Sequence, residues 1–273
     1  MKIFGSRYEH EPLPGKKIEG MVLRLSFGIA NEGYADLHPW PELGELPLET
    51  QLAGLASGEW TTTLQKSLVF ANVDAKARRQ NRNLLHGLDL PMSYTNKIKI
   101  KKDTDLSSIP EGIRLRLDFN GTLTKQEFES WWEALPLTIR ESIDVIEDPY
   151  TTIEPCLVPA SLLYSDWIAN PHWAGKVLKP SRDFSGDSRA SKVLFTHSLN
   201  HPLGQVAAIW EAARFYKKYP YLKQPCGFSI VDSKSFAPFN TLWHRQGPIL
   251  KPAPGVGFGF DEALRDLKWE KIL

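Results

Sequence analysis

The feature that most restricts this chain is the regular return of short apolar segments after residue 90: "NKIKI", "IRLRLDF", "SIDVIED", "CLVPA", "GKVLKP", "SKVLFTH" and "CGFSIVD". Each has strand length, they recur at intervals of roughly 14 to 35 residues, and helical patterns such as "TKQEFESWWEAL" and "LGQVAAIWEAARFYKK" fall between some of them. Strands alternating with helices predict an α/β fold with a parallel sheet, here one that closes into a (β/α) barrel. The connections after Lys99, Glu147 and Lys179 are too short for full barrel helices, so some outer helices are expected to be shortened.

The first third of the chain has a different texture. "GMVLRLSFGI" and "EGYADLHPW" read as strands, "PLETQLAGLASG" as a helix with an acidic first turn, and Glu59 to about His86 as a long helical stretch. Residues 1–90 are therefore expected to form an α+β unit, 91–255 the barrel, and 256–273 a segment that returns to the first unit. A chain of 273 residues, 42% of them hydrophobic, is long enough to bury the core such an arrangement needs. A net charge of +1 argues against nucleic acid or an anionic membrane as partner and leaves a small-molecule substrate. Cys156 and Cys226 form no CxxC motif, which fits a reducing cytoplasm. No apolar run approaches the roughly 18 residues of a membrane helix, and a cytoplasmic monomer is expected.

"SYTNKIKIKK" sets Lys97, Lys99 and Lys101 on one face of a strand and Ile98 and Ile100 on the other. Alternation of this kind is the ordinary mark of an edge strand with one wet face. In a barrel, however, the carboxyl ends of the strands build the pocket, so what stands at the other strand ends decides between a wet edge and a site. "IRLRLDFNG" ends at Asp118 and Asn120, "SIDVIEDP" at Glu147 and Asp148, and "GKVLKP" at Lys179. Singly, these are ordinary turn residues. Their order (amine, carboxylate, carboxylate, amine, each ending a separate strand) suits one hard divalent cation held between opposed lysines.

The series "KIK", "RLDFNG", "VIEDP" and "VLKP", followed by "FTHSLNHPLG", resembles the o-succinylbenzoate synthases of the enolase superfamily. "GYADLHPWPELGELPLETQLAGL" and "FGFDEALRDL" extend the likeness to both ends of the chain. The resemblance implies an enolase-type barrel with an N-terminal α+β capping domain. It also implies a Mg²⁺-dependent dehydration (Mn²⁺ as a substitute) that makes 2-succinylbenzoate for menaquinone biosynthesis. Carried over by position, Lys99 is the general base, Lys179 the opposing cation that steadies the enediolate, and Asp118 and Glu147 are metal ligands. Lys97, Asn120, Ser198 and Gly227 are expected to touch the substrate. To act as a base, Lys99 must shed a proton that a free lysine holds to about pH 10.4, which desolvation and neighbouring cations favour.

One departure stands out. The resemblance aligns "CLVPASLLYSDW" with the third metal ligand and sets Pro159 where an aspartate is expected. Asp166, seven residues on, is a candidate that this alignment assigns to the following helix; Asp148 or waters are alternatives. Dipeptide epimerases and N-acylamino acid racemases share the paired lysines, and a non-catalytic binder of aromatic acids is a further alternative. His197 and His201 read as loop residues, since two histidines without a third ligand make no metal site.

Overall fold

The computed structural model describes residues 1–13, 15–28, 31–93, 96–101, 104–106, 109, 112–166, 170–183, 191–229, 233–247 and 249–273. Strands β1 (Lys2–Leu13), β2 (Lys16–Ser26) and β3 (Glu32–Leu37) form an antiparallel meander. Composition alone did not reveal β1, because "KIFGSRYEHEPL" has no clean alternation; pairing with β2 overrides its mixed sequence. Helices α1 (Leu48–Ser57) and α2 (Thr62–Arg79) follow, the second capped by the Thr61 hydroxyl accepting from Leu64 N–H. Helix α2 crosses β3 so closely that a Cβ on Gly33 would stand 1.9 Å from the Ala71 carbonyl oxygen, which only glycine tolerates. Buried Asp74 on α2 accepts from Tyr34 N–H and Phe258 N–H and pairs with Arg78, which reaches on to Asp261 at 2.5 Å. These contacts tie the C-terminal segment to the N-terminal unit.

The parallel sheet runs through β4 (Lys97–Lys99), β5 (Leu115–Asp118), β6 (Ile143–Glu147), β7 (Leu163–Ser165), β8 (Gly175–Leu178) and β9 (Lys192–Phe195), in that order. Its two edges meet through one further segment: Gly227 N–H donates to Phe195 O and Cys226 N–H to Met92 O, both at 2.7 Å, just ahead of β4. The sheet thus closes on itself. Among the described residues the outer helices are α3 (Lys125–Ala134) and α4 (Leu137–Ser142) between β5 and β6, and α5 (Pro202–Lys218) after β9. A reciprocal capping box between Thr124 and Glu127 starts α3. The link from β6 to β7 is an irregular loop ending in a single tight turn at Ala160–Leu162.

Two strand expectations need correction. "CLVPA" is not a strand: Pro159 begins the turn, and the pairing segment lies later, at Leu163–Ser165, because Leu163 and Tyr164 are the residues buried against β6. "CGFSIVD" contributes only the bridges at Cys226 and Gly227; residues 230–232 lie outside the described residues. The chain ends with a hairpin of β10 (His244–Gln246) and β11 (Ile249–Lys251), helix α6 (Asp261–Arg265), and β12 (Glu270–Lys271), which pairs with β1. No helix among the described residues is long and apolar enough to cross a membrane.

Candidate active site

Period-two alternation explains how the site is layered. Val145, Tyr164, Val177 and Leu194 form a small buried cluster inside the barrel. Two residues further along the same strands stand Glu147, Asp166, Lys179 and Thr196, so a side-chain pair at i and i+2 supplies an apolar floor and then a polar rim. On β5 the equivalent pair is Arg116 and Asp118, and on β4 Lys97 and Lys99, held in register as Lys97 opposite Arg116 and Lys99 opposite Asp118. Ile98 and Ile100 turn outward into the second hydrophobic core. Lys97 and Lys99 therefore face a cleft and the edge-strand reading does not apply to them, whereas Lys101, beyond the end of β4, does not line it.

That cleft, about 280 Å³, is lined by Lys97, Lys99, Asp118, Asn120, Glu147, Asp166, Lys179, Ser198 and Gly227, but not by Asp148 or Pro159. Lys99 and Lys179 enter from β4 and β8, with β5, β6 and β7 between them. Lys97 Nζ lies 2.6 Å from Asp118 Oδ2 and 3.2 Å from Glu147 Oε2, and Lys179 pairs with Asp166. Lys99 makes no ion pair among the described residues, and it is exposed rather than desolvated as the sequence suggested. Asn120 N–H donates to Asp118 Oδ1 at 3.1 Å, so the "DFNG" turn both closes locally and presents its carboxylate.

Asp166 corrects the reading of the third carboxylate. It follows β7 directly and lines the cleft, whereas Pro159 sits seven residues earlier at a turn outside it. The alignment by local resemblance slipped because it took "CLVPA" for the strand. Asp148 faces elsewhere: its Oδ1 accepts from Asp166 N–H and fixes the start of that loop.

Arg116 is the residue that sequence reasoning missed. Fully buried, it donates Nε to Glu147 Oε2 and Nη2 to Glu147 Oε1, both at 2.9 Å. Its position two residues before Asp118 was the available signal. Burial pushes the Glu147 carboxyl up, but Arg116, Lys97 and Lys179 outweigh it and hold the group at about 2. Asp166 goes the other way, raised by burial and by Glu147 against the pull of Lys179. Gly227 is required by the same arginine, for a Cβ there would stand 1.8 Å from Arg116 Nη1. His197 also lines the cleft; it is buried, accepts from Leu199 N–H through Nδ1, and burial lowers it to about 4.

Three carboxylates ending adjacent strands supply the all-oxygen donor set that suits a hard divalent cation, and Asp166 keeps Oδ1 buried and unpartnered among the described residues. Among the described residues no three such side chains are drawn together tightly enough to chelate as they stand, since the Lys97 and Lys179 amines are paired with them. In kind the residues fit Mg²⁺; in position the lysines must release them.

A sequence profile for "O-succinylbenzoate synthase, N-terminal domain" matches residues 11–77. The o-succinylbenzoate synthase of Bdellovibrio bacteriovorus is 30% identical over 302 aligned positions, covering 93% of this chain and 91% of that protein. Among solved structures, an enolase-superfamily member from Listeria innocua superposes with a TM-score of 0.72 at 16% identity, covering 100% of this chain and 98% of that one. A dipeptide epimerase from Cytophaga hutchinsonii, complexed with Mg and D-Ala-L-Val, gives 0.69 at 16% identity with both chains fully covered. With strand-end lysines and carboxylates facing one cleft and a relative matched along nearly its whole length, this chain belongs to the o-succinylbenzoate synthase family of the enolase superfamily.

Proposed function

We propose that the protein dehydrates 2-succinyl-6-hydroxy-2,4-cyclohexadiene-1-carboxylate to 2-succinylbenzoate, a step of menaquinone synthesis. The observation that carries this reading is that Lys99 and Lys179 enter one cleft from strands separated by those that end in Asp118, Glu147 and Asp166. The name of the Bdellovibrio relative favours the synthase over the epimerases, whose likeness is one of fold alone.

A proton beside a carboxylate is very weakly acidic, and its removal loads a second negative charge onto the carboxylate oxygens. Asp118, Glu147 and Asp166 would hold Mg²⁺, which supplies fixed positive charge where that negative charge develops. Lys99, unpaired among the described residues, takes the proton, and the Lys179 ammonium faces the developing charge from the other side of the barrel. Lys99 then returns its proton to the hydroxyl as the C–O bond breaks, so water leaves and the ring becomes aromatic. A single base serving both steps gives a syn elimination. Arg116 stays beneath, keeping Glu147 charged and oriented.

The test is loss of the cyclohexadiene absorbance on incubating purified protein with that substrate and Mg²⁺. Turnover that stops with EDTA and returns with Mg²⁺ supports the reading. Absence of dehydration, with racemisation of N-acylamino acids or dipeptides in its place, refutes it.

A further inference from the structure

The reaction proposed above would engage one carboxylate of its substrate beside Asp118, Glu147 and Asp166, yet that substrate carries two. The cleft holds more cations than the reacting end requires. Lys97 and Lys179 stand beside the strand-end carboxylates and Lys99 at the position of the base, so all three face the reacting end whether or not a metal displaces their ion pairs. Among the described residues that line the cleft, two cations remain, Lys16 and Arg182. The Lys16 side chain is 40% exposed at the rim and paired with Glu42, so solvent screens it. Arg182, only 15% exposed, lies deeper.

Arg182 sits in the turn that follows β8, closed by its own N–H donating to Lys179 O at 2.8 Å. The preceding residue, Ser181, has its hydroxyl 2.9 Å from that of Ser198, which lines the cleft, so this turn borders the cleft wall. The partner of Arg182 is loosely held: Nε lies 3.4 Å from Glu45 Oε1 of the N-terminal unit, and Nη1 is buried with no partner among the described residues. Glu45 does not depend on the arginine, because Oε2 accepts from Trp40 N–H at 2.6 Å and Oε1 from the Thr63 hydroxyl at 3.1 Å. Withdrawing the guanidinium therefore leaves no orphaned acceptor, which makes exchange of partners inexpensive. A guanidinium with a free edge suits a planar carboxylate better than any lysine does.

We infer that Arg182 is a specificity residue that receives the second, distal carboxylate of a dicarboxylate substrate, with Glu45 as its partner until that carboxylate takes over. This rests on the function proposed above. It also predicts that Glu45 competes with substrate instead of assisting it.

The experiment measures dissociation constants of 2-succinylbenzoate and of 2-butyrylbenzoate, which replaces the distal carboxylate by a methyl group, on the Mg²⁺-loaded protein. Wild type, Arg182→Gln and Glu45→Gln are compared. Arg182→Gln is expected to weaken 2-succinylbenzoate at least tenfold while 2-butyrylbenzoate stays within threefold, and Glu45→Gln to bind 2-succinylbenzoate as tightly as wild type or more so. Equal weakening of both ligands, a smaller change than tenfold, or a loss in Glu45→Gln matching that in Arg182→Gln overturns the inference in favour of a simple structural latch. Dehydration assays run alongside keep the two claims apart. A wild type that turns over with no discrimination lost in Arg182→Gln removes this inference alone. A wild type that never turns over yet loses discrimination on substitution removes only the assigned reaction.

Discussion

Arg116 lies flat against Glu147 in the floor of the cleft, two parallel hydrogen bonds of 2.9 Å joining a side chain with no exposure to one with almost none. A pair so fully withdrawn from water is weak evidence of net stabilisation, but breaking it from one side strands a buried charge. Arg116→Met is expected to cost about 3–5 kcal/mol in urea unfolding at pH 7. Because the folded Glu147 titrates at about 2 against an ordinary 4.5, the stability it contributes is present above 4.5 and is lost as pH falls towards 2. The gap between wild type and variant should therefore narrow between pH 4.5 and pH 2. A gap independent of pH would show that the arginine acts through packing alone.

Asp166 and Pro159 give a second prediction. If the carboxylate after β7 is a metal ligand, Asp166→Ala weakens Mg²⁺ binding by at least tenfold in calorimetry, and Pro159→Asp in that background restores nothing, since Pro159 lies at a turn outside the cleft. Rescue by Pro159→Asp would reinstate the alignment that the structure has corrected.

A third concerns a buried polar cluster between the N-terminal unit and the loop before α5. Tyr8 donates to Asp36 Oδ1 at 2.5 Å, Asn200 Nδ2 donates to Asp36 Oδ2 at 2.9 Å, and the rings of His10, His38 and His201 pack around Tyr8. Burial raises Asp36 to about 7 despite both hydrogen bonds. A raised carboxyl is least costly below its unfolded value and increasingly costly as pH climbs to the folded one. Asp36→Asn should accordingly gain stability relative to wild type between pH 4 and pH 7, with a slope of at most about 1.4 kcal/mol per pH unit. The three histidines, lowered chiefly by burial, titrate in both proteins and cancel in the difference. Melting curves across that range check it; a constant offset would mean Asp36 stays charged throughout.

Gly227 provides a fourth. Gly227→Ala sets a methyl group 1.8 Å from Arg116 Nη1, so the guanidinium must shift away from Glu147. Turnover is expected to fall at least tenfold with Mg²⁺ affinity reduced, checked by kinetics across a Mg²⁺ titration that reaches saturation. Unchanged kinetics would show that the arginine has room to move.

The lysines, Asp118 and Glu147 were legible in the chain because each closes an alternating apolar strand, where period two dictates the facing direction. Asp166 was placed in the wrong element because β7 is only three residues long, too short to impose a pattern against the proline-rich loop before it. Strand β1 hid for the opposite reason, its twelve residues carrying charge on both faces while neighbouring β2 and β12 fix them. Arg116 was readable in position but reads as a solvated strand residue until the sheet is closed around it. The Arg182–Glu45 contact joins residues 137 apart and leaves no local trace.

Lys99 decides the account. Steady-state dehydration by Lys99→Ala at saturating Mg²⁺, with circular dichroism to establish folding, is predicted to fall by about 10²–10⁴-fold or more, the worth of a positioned base. A folded Lys99→Ala that dehydrates the cyclohexadiene within a few fold of wild type would contradict it.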